Sequence, residues 1–187
     1  MNVAIVGMAD IGRDSAPYDR PDWEIWALAW DHLPRITRAF DPHPRSRWAD
    51  ELPHRIELYR SRDIPLYLHE AHDDVPTSIA YPKDEVGDLI GKNIEGKPYI
   101  ESTVAYMMGL ALLEGAEKIG IYGVEMASTG EWAYQRPNME YLIGFARAKG
   151  VKILLPRGTQ VLSSAWKCGI YGFMDPKPEA HPALKVA

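Results

Sequence analysis

Short apolar runs recur along the chain, each followed directly by a polar or turn-forming residue. The first covers residues 3–6 and runs into Gly7, and the second covers 24–30 (EIWALAW) before Asp31. Others lie at 36–40 before Asp41, 64–68 before His69, 118–122 before Gly123 and 151–155 before Pro156. Runs this short and continuously apolar suit strands covered on both faces, as in a parallel sheet. Between them the spacing turns helical. Residues 46–60 place Trp48, Leu52, Ile56 and Tyr59 on one helical face. Residues 102–114 (STVAYMMGLALLE) are apolar nearly all round, so this helix is expected to be buried, with Gly115 as its C-terminal glycine. A further helix is expected over 138–149, with Asn138 as N-cap and Gly150 beyond its end. Helix and strand alternate over 102–155 as in the crossovers of a doubly wound sheet. The fold class is therefore α/β: a Rossmann-like, mostly parallel sheet of about six strands with helices on both faces.

Residues 70–98 break this rhythm. They are rich in Asp, Pro, Gly and Lys, with one short helical candidate at 83–90, and read as an excursion over the strand ends. Long excursions of this kind often serve as lids. One domain is expected over 1–174, and residues 175–187, with Pro176, Pro178 and Pro182, form an extended tail. The apolar share of 46% and charged share of 25% are those of a globular chain. A net charge of −5 argues against gripping nucleic acid by bulk electrostatics, leaving nucleic acid only as a modified-base acceptor. The single cysteine, Cys168, permits neither an intramolecular disulfide nor a Cys-based metal site, and reads as structural. No apolar run approaches the roughly 20 residues of a membrane span, and the N-terminus reads as a strand rather than a signal peptide. A cytoplasmic protein with no membrane partner is expected. Apolar residues at 165–173 can pack on the domain or on a second copy, so a homo-oligomer stays open. Trp23, Trp26, Trp30 and Trp48 read as core fillers around the second strand and first long helix.

Candidate chemistry gathers at the residues that follow the strands. Gly7, Met8, Ala9 and Asp10 form the first loop, where a glycine lets backbone amides approach a phosphate or ribose. The run is neither GxGxxG nor a P-loop, and a glycine needed only for the turn explains it equally well. Asp31 and Asp41 end neighbouring strands, where carboxylates can hold ribose hydroxyls or, as readily, cap a turn. His69 and His72, followed by Asp73 and Asp74 and with Asp41 and His43 nearby, invite a metal reading, but no zinc-type spacing is present. His69 is retained as a candidate general base. Ser102 and Thr103 open the buried helix, a ready phosphate site or simply a capped end. Gly123 and Glu125 follow the fifth strand. Tyr134, Gln135 and Arg136, within a dense polar and aromatic set from Glu131 to Tyr141, offer a ring to stack a base and directed donors.

The segments AIVG (4–7), APYDRPDWEIWALAW (16–30), GIYGVEM (120–126) and YQRPNMEYLIGFARAKGVKI (134–153) resemble a group of small phage and prophage proteins. More distantly, ESTVAYMMGLALLEGAEKIGIYGVEM (101–126) is similar to the nucleotide-binding half of small bacterial sialyltransferases and to pterin-pyrophosphokinase-like Rossmann domains. The resemblance implies Gly7 to Asp10 near the phosphates or ribose, Ser102 and Thr103 at the phosphates, and Glu125 near the ribose. The chain departs from those enzymes in its first loop, Gly-Met-Ala-Asp, and in having no histidine over 126–150.

Three functions fit this reading. The first is a glycosyltransferase-like enzyme that uses a nucleotide-sugar donor, with Asp41, His69 or Glu125 deprotonating an acceptor hydroxyl. In a phage setting that acceptor is a modified nucleobase or a surface glycan. The second is a non-catalytic protein that sequesters a nucleotide. The third is a (pyro)phosphoryl transferase with magnesium held by carboxylates at 41, 73, 74 and 125.

Overall fold

The computed structural model describes residues 1–126 and 131–162, with the side chains of 131–133 left undescribed. The expected tail, the apolar segment 165–173 and Cys168 lie outside these residues. Seven strands form one sheet: β1 (Asn2–Val6), β2 (Trp23–Leu28), β3 (Arg38–Asp41), β4 (Leu66–Leu68), β5 (Ser78–Ala80), β6 (Lys118–Tyr122) and β7 (Lys152–Leu154). Their order is β5-β4-β3-β2-β1-β6-β7 and every pairing is parallel. The fold is α/β and Rossmann-like.

Alternation along the strands divides the core. Val3 and Ile5 of β1, with Trp26 and Phe40, pack against α2 (Lys83–Ile90), α3 (Thr103–Leu113) and α4 (Glu131–Ala148) on one face. On the other, Ala39, Leu66 and Leu68 meet Trp48 and Tyr59, the latter from α1 (His54–Arg60). Helices therefore cover both faces. Helix α3 buries residues all round its circumference because sheet, α2 and α4 enclose it. Its partner α2 comes so close that a Cβ on Gly109 would lie 2.6 Å from a Val86 methyl.

Three expectations need correcting. The stretch 70–98 is more than a loop: Val75 is buried, β5 extends the sheet edge, and Val86 and Ile90 of α2 enter the core. The strand escaped notice because Ser78–Ala80 is short and half exposed, as an edge strand can be. Residues 46–60 are not one helix. A π-type turn over Ser46–Asp50 precedes α1, and Pro53, which cannot donate an i→i−4 bond, stands between them. Finally, α4 starts at Glu131 and contains Pro137, so Asn138 is inside the helix rather than its cap. Fully buried, Asn138 sends its amide sideways: Nδ2 donates to the Tyr99 carbonyl (2.8 Å) and Oδ1 accepts from the Glu101 amide (3.1 Å). It thereby clamps the segment that leads into α3.

The chain leaves β1 to one side, builds out to β5, then crosses back to add β6 on the other side of β1. This reversal opens a crevice at the carboxyl ends of β1 and β6, where ligands of open α/β sheets bind. The two loops interlock there. Gly7 N donates to Tyr122 O (2.8 Å), Ala9 N to Gly123 O (2.9 Å) and Gly123 N to Ile11 O (2.9 Å). A Cβ on Gly7 would lie 2.5 Å from Gly123 O, and Gly123 has a positive φ of 63°. Gly7→Ala must push the two backbones apart. We expect it to lower the urea midpoint, by about 1–3 kcal/mol of stability, as overpacking against an unyielding neighbour does.

Candidate functional site

A cleft of about 850 Å³ occupies the crevice. Among the residues expected to act there, Gly7, Met8, Ala9, Ser102, Thr103, Gly123, Glu125 and Gln135 line it. Asp10, Asp31, Asp41, His69, Tyr134 and Arg136 do not. Trp30, Pro42 and His43 line it unforeseen as ligand-facing residues.

The first loop plays a different part from the one expected. Two of its amides, Gly7 N and Ala9 N, are already bound to the β6 loop, so its glycine serves the contact between loops. The start of α3 is better suited to an anion. Ser102, extended at φ −160° and ψ 160°, caps the helix, its Oγ accepting from the Ala105 amide (3.1 Å). The amides of Thr103 and Val104 belong to the first turn and have no intrahelical acceptor. Both residues line the cleft, where the positive end of the helix dipole favours negative charge.

Asp41 is wholly buried at the end of β3 and cannot reach a ligand. Its Oδ2 accepts from the Tyr59 hydroxyl (2.6 Å), and Arg55 Nη1 stands 3.6 Å away. Its Oδ1 meets His43 Nδ1 at 2.5 Å and accepts from the His43 backbone amide at 3.2 Å. Because the carboxylate can only accept, Nδ1 carries the proton, and Nε2 is the nitrogen left for other chemistry. Trp48 Nε1 donates to the His43 carbonyl (3.2 Å), fixing the residue from a third side. The imidazole itself is 47% exposed. Its hydrogen bond to Asp41 raises the His43 pKa above the ordinary histidine value, against partial desolvation and repulsion from Arg47 and Arg55. Burial first, then the Asp41 charge, pushes the Tyr59 hydroxyl far above its ordinary value, keeping it a donor. The sequence carried the signal for His43 in Asp41-Pro42-His43, since a residue two positions beyond a strand end sits at the sheet's ligand-binding edge.

The other expected residues have structural duties. Asp31 pairs with Arg13 and accepts from His32 N (2.8 Å), tying the first loop to the end of β2. It lines a separate cavity of about 400 Å³ with Arg35 and Arg62. His69 is exposed beyond β4, while His72 packs edge-on against Trp48 with ring centroids 5.3 Å apart. Asp74 accepts from Arg45 (2.8 Å) and Arg60 (2.5 Å), whose guanidinium groups hold it far below the usual carboxylate range. The carboxylates expected for magnesium thus do not converge. Among the described residues no three His, Cys, Asp or Glu side chains gather to hold a metal. Arg136 pairs with Glu140 along α4 (2.8 Å), and Tyr134 is 74% exposed. No described helix is long and apolar enough to cross a membrane.

No family model matches the chain. Over 115 residues, 56% of this chain, it is 30% identical to part of the 6-methylsalicylic acid synthase of Penicillium patulum. It spans 6% of the length of that protein. Among solved structures it is similar to the sialyltransferase CstII from Campylobacter jejuni in complex with the substrate analogue CMP-3FNeuAc. That match has a TM-score of 0.53 at 11% identity, covering 83% of this chain and 79% of that one. The same enzyme with cytidine-5′-monophosphate gives 0.50 at 11% identity, covering 86% and 81%. The likeness is one of fold: this chain shares the parallel α/β architecture of that enzyme.

The Asp41–His43 pair makes a pH-dependent contribution to stability. A histidine whose folded pKa is raised stabilises fully below its unfolded pKa and loses that contribution as pH rises through the folded value. The stability gap between the protein and His43→Gln should therefore narrow from acid to alkaline pH, as read by urea melts. In Asp41→Asn the imidazole should titrate nearer its ordinary value, as followed by its Cε1–H NMR resonance.

Proposed function

We propose that the cleft binds a nucleotide-activated sugar of the CMP-sugar type and transfers the sugar to an acceptor hydroxyl, with His43 as general base. The observation that carries this reading is a cleft-lining imidazole whose Nδ1 is fixed on a fully buried carboxylate, in a cleft that also holds a helix N-terminus. The two features match the two charges that develop in glycosyl transfer. As the bond from the anomeric carbon to the phosphate oxygen breaks, its electron pair leaves with the phosphate. The Thr103 and Val104 amides and the α3 dipole stabilise that charge. As the acceptor oxygen bonds to the anomeric carbon, its proton passes to His43 Nε2, and Asp41 stabilises the imidazolium. Asp41 thus acts as a positioning residue. Glu125, which lines the cleft from the loop after β6, takes the ribose hydroxyls in this reading. The fold shared with a sialyltransferase described with CMP-type ligands supports the choice of donor.

Calorimetry and thermal melts with CMP, UMP, UDP and CMP-sugars test the donor. Binding to the folded state must raise the melting temperature, and a flat response to every nucleotide sinks the reading. Thr103→Pro removes one amide at a position that tolerates proline, after a residue already extended. It should weaken nucleotide binding about tenfold and leave the apo melting temperature near its original value.

His43→Gln should keep nucleotide affinity and lower kcat by roughly 10²–10⁴-fold. Because the neutral imidazole is the base and its pKa is raised, the rate should climb with pH along a limb displaced above the ordinary histidine value. Nucleotide binding without turnover, unaltered by His43→Gln, would make the protein a sequestering one.

A further inference from the structure

Trp30, two residues beyond the end of β2, departs from the tryptophans of that strand: Trp23 and Trp26 are buried, whereas Trp30 is half-buried and lines the cleft, its ring 6.3 Å from that of His43. An indole partly open to water needs a reason to hold one orientation, and two contacts supply it. The Arg55 guanidinium lies 4.0 Å from the ring centroid, a cation–π contact from outside the lining of the cleft. The indole Nε1–H points at Met8 Sδ (3.3 Å). Arg55 is itself held near Asp41 Oδ2, and its buried Nε has no hydrogen-bond partner among the described residues. Leaving a guanidinium nitrogen buried and unsatisfied is costly. The arrangement stiffens a ring that faces the cleft at the level of the base.

We propose that Trp30 is the specificity-determining platform for the acceptor, and that the acceptor is a flat aromatic ring bearing one hydroxyl, of the phenol or aryl-alcohol class. The ends of β1, β2 and β3 bring Met8, Leu28, Trp30, Pro42 and His43 to the lining, whereas Glu101, Ser102, Thr103, Glu125 and Gln135 reach it from the start of α3, the loop after β6 and α4. The indole donor is already directed at Met8, so of the five residues brought by β1, β2 and β3, His43 is the one whose side chain offers a ligand a free nitrogen. A polyhydroxylated sugar stacked on Trp30 would set several hydroxyls against Met8, Leu28 and Pro42, which offer no side-chain oxygen or nitrogen to match them. An aromatic ring lies face-on against Trp30 and directs a single hydroxyl at His43 Nε2. The inference rests on the proposed transfer only in calling the bound ring an acceptor.

The test is binding of p-cresol and of methyl β-D-galactoside to the full chain, followed by the indole Nε1–H and imidazole NMR resonances. CMP binding is measured separately by calorimetry. p-Cresol should shift the Trp30 and His43 signals at concentrations where the galactoside is silent. Trp30→Leu should weaken it by roughly tenfold, while Trp30→Phe, which keeps a ring face and the fold, should hold it within about threefold. Galactoside binding as tight as that of p-cresol at these residues overturns the proposal, as does p-cresol affinity unaltered in Trp30→Leu. If CMP fails to bind while p-cresol engages Trp30, the nucleotide reading falls and the ring subsite stands. The converse result removes the subsite alone.

Discussion

The cleft exists because two backbones meet where side chains would keep them apart. The loop after β1 and the loop after β6 exchange three hydrogen bonds across Gly7, Ala9, Ile11, Tyr122 and Gly123. Gly7 and Gly123 each leave room for the carbonyl of the other. This contact closes the floor of the crevice that the reversal in strand order opens. It also has a chemical consequence. Amides engaged in holding the floor are not available to a phosphate, which leaves the start of α3 better suited to an anion than Gly7 N and Ala9 N. The Asn138 clamp on Tyr99 and Glu101 then matters more than its place within a helix suggests, because it sets where that start lies.

The second fixed point is the Asp41 carboxylate. Removing a carboxylate from water costs several kcal/mol unless hydrogen bonds replace its hydration. Here the replacements are the Tyr59 hydroxyl and both the backbone and the ring of His43, with the Arg55 charge behind them. Each partner comes from a different place: the β3 edge, and two turns of α1. The requirement to satisfy one buried charge therefore orients a half-exposed imidazole and draws Arg55 against Trp30. A single electrostatic constraint organises the acceptor side of the cleft.

What could be read from the sequence follows from which forces act locally. Strand positions were legible because burial on both faces writes continuous apolar runs, as in residues 3–6 and 118–122. The edge strand β5 was not, since half exposure removes that signal. Asn138 after Pro137 satisfies the local rule for a helix start, yet a tertiary demand for two hydrogen bonds outweighed it. The lining of the cleft was legible in outline: Ser102, Thr103, Glu125 and Gln135, which border it, follow from the rule that clefts of open sheets lie at strand ends and helix starts. The identity of the titrating group was not. Asp41 and His43 are both at the strand end, and only the depth of burial decides that the carboxylate orients and the imidazole faces the ligand. Trp30 misled for a similar reason, since three neighbouring tryptophans are core and composition alone does not separate the fourth.

The division of labour across the cleft follows from electrostatics. A dipole end that stabilises a leaving phosphate would depress the basicity of an imidazole placed beside it, and a carboxylate that raises that basicity would repel the phosphate. Placing the helix start on α3 and the buried carboxylate behind β3 lets each field act on its own charge. Asp41 itself does not line the cleft, and its charge is relayed there by the His43 ring that it holds. For the proposed transfer, the carboxylate's burial is what would let a negative group assist a reaction that releases another one.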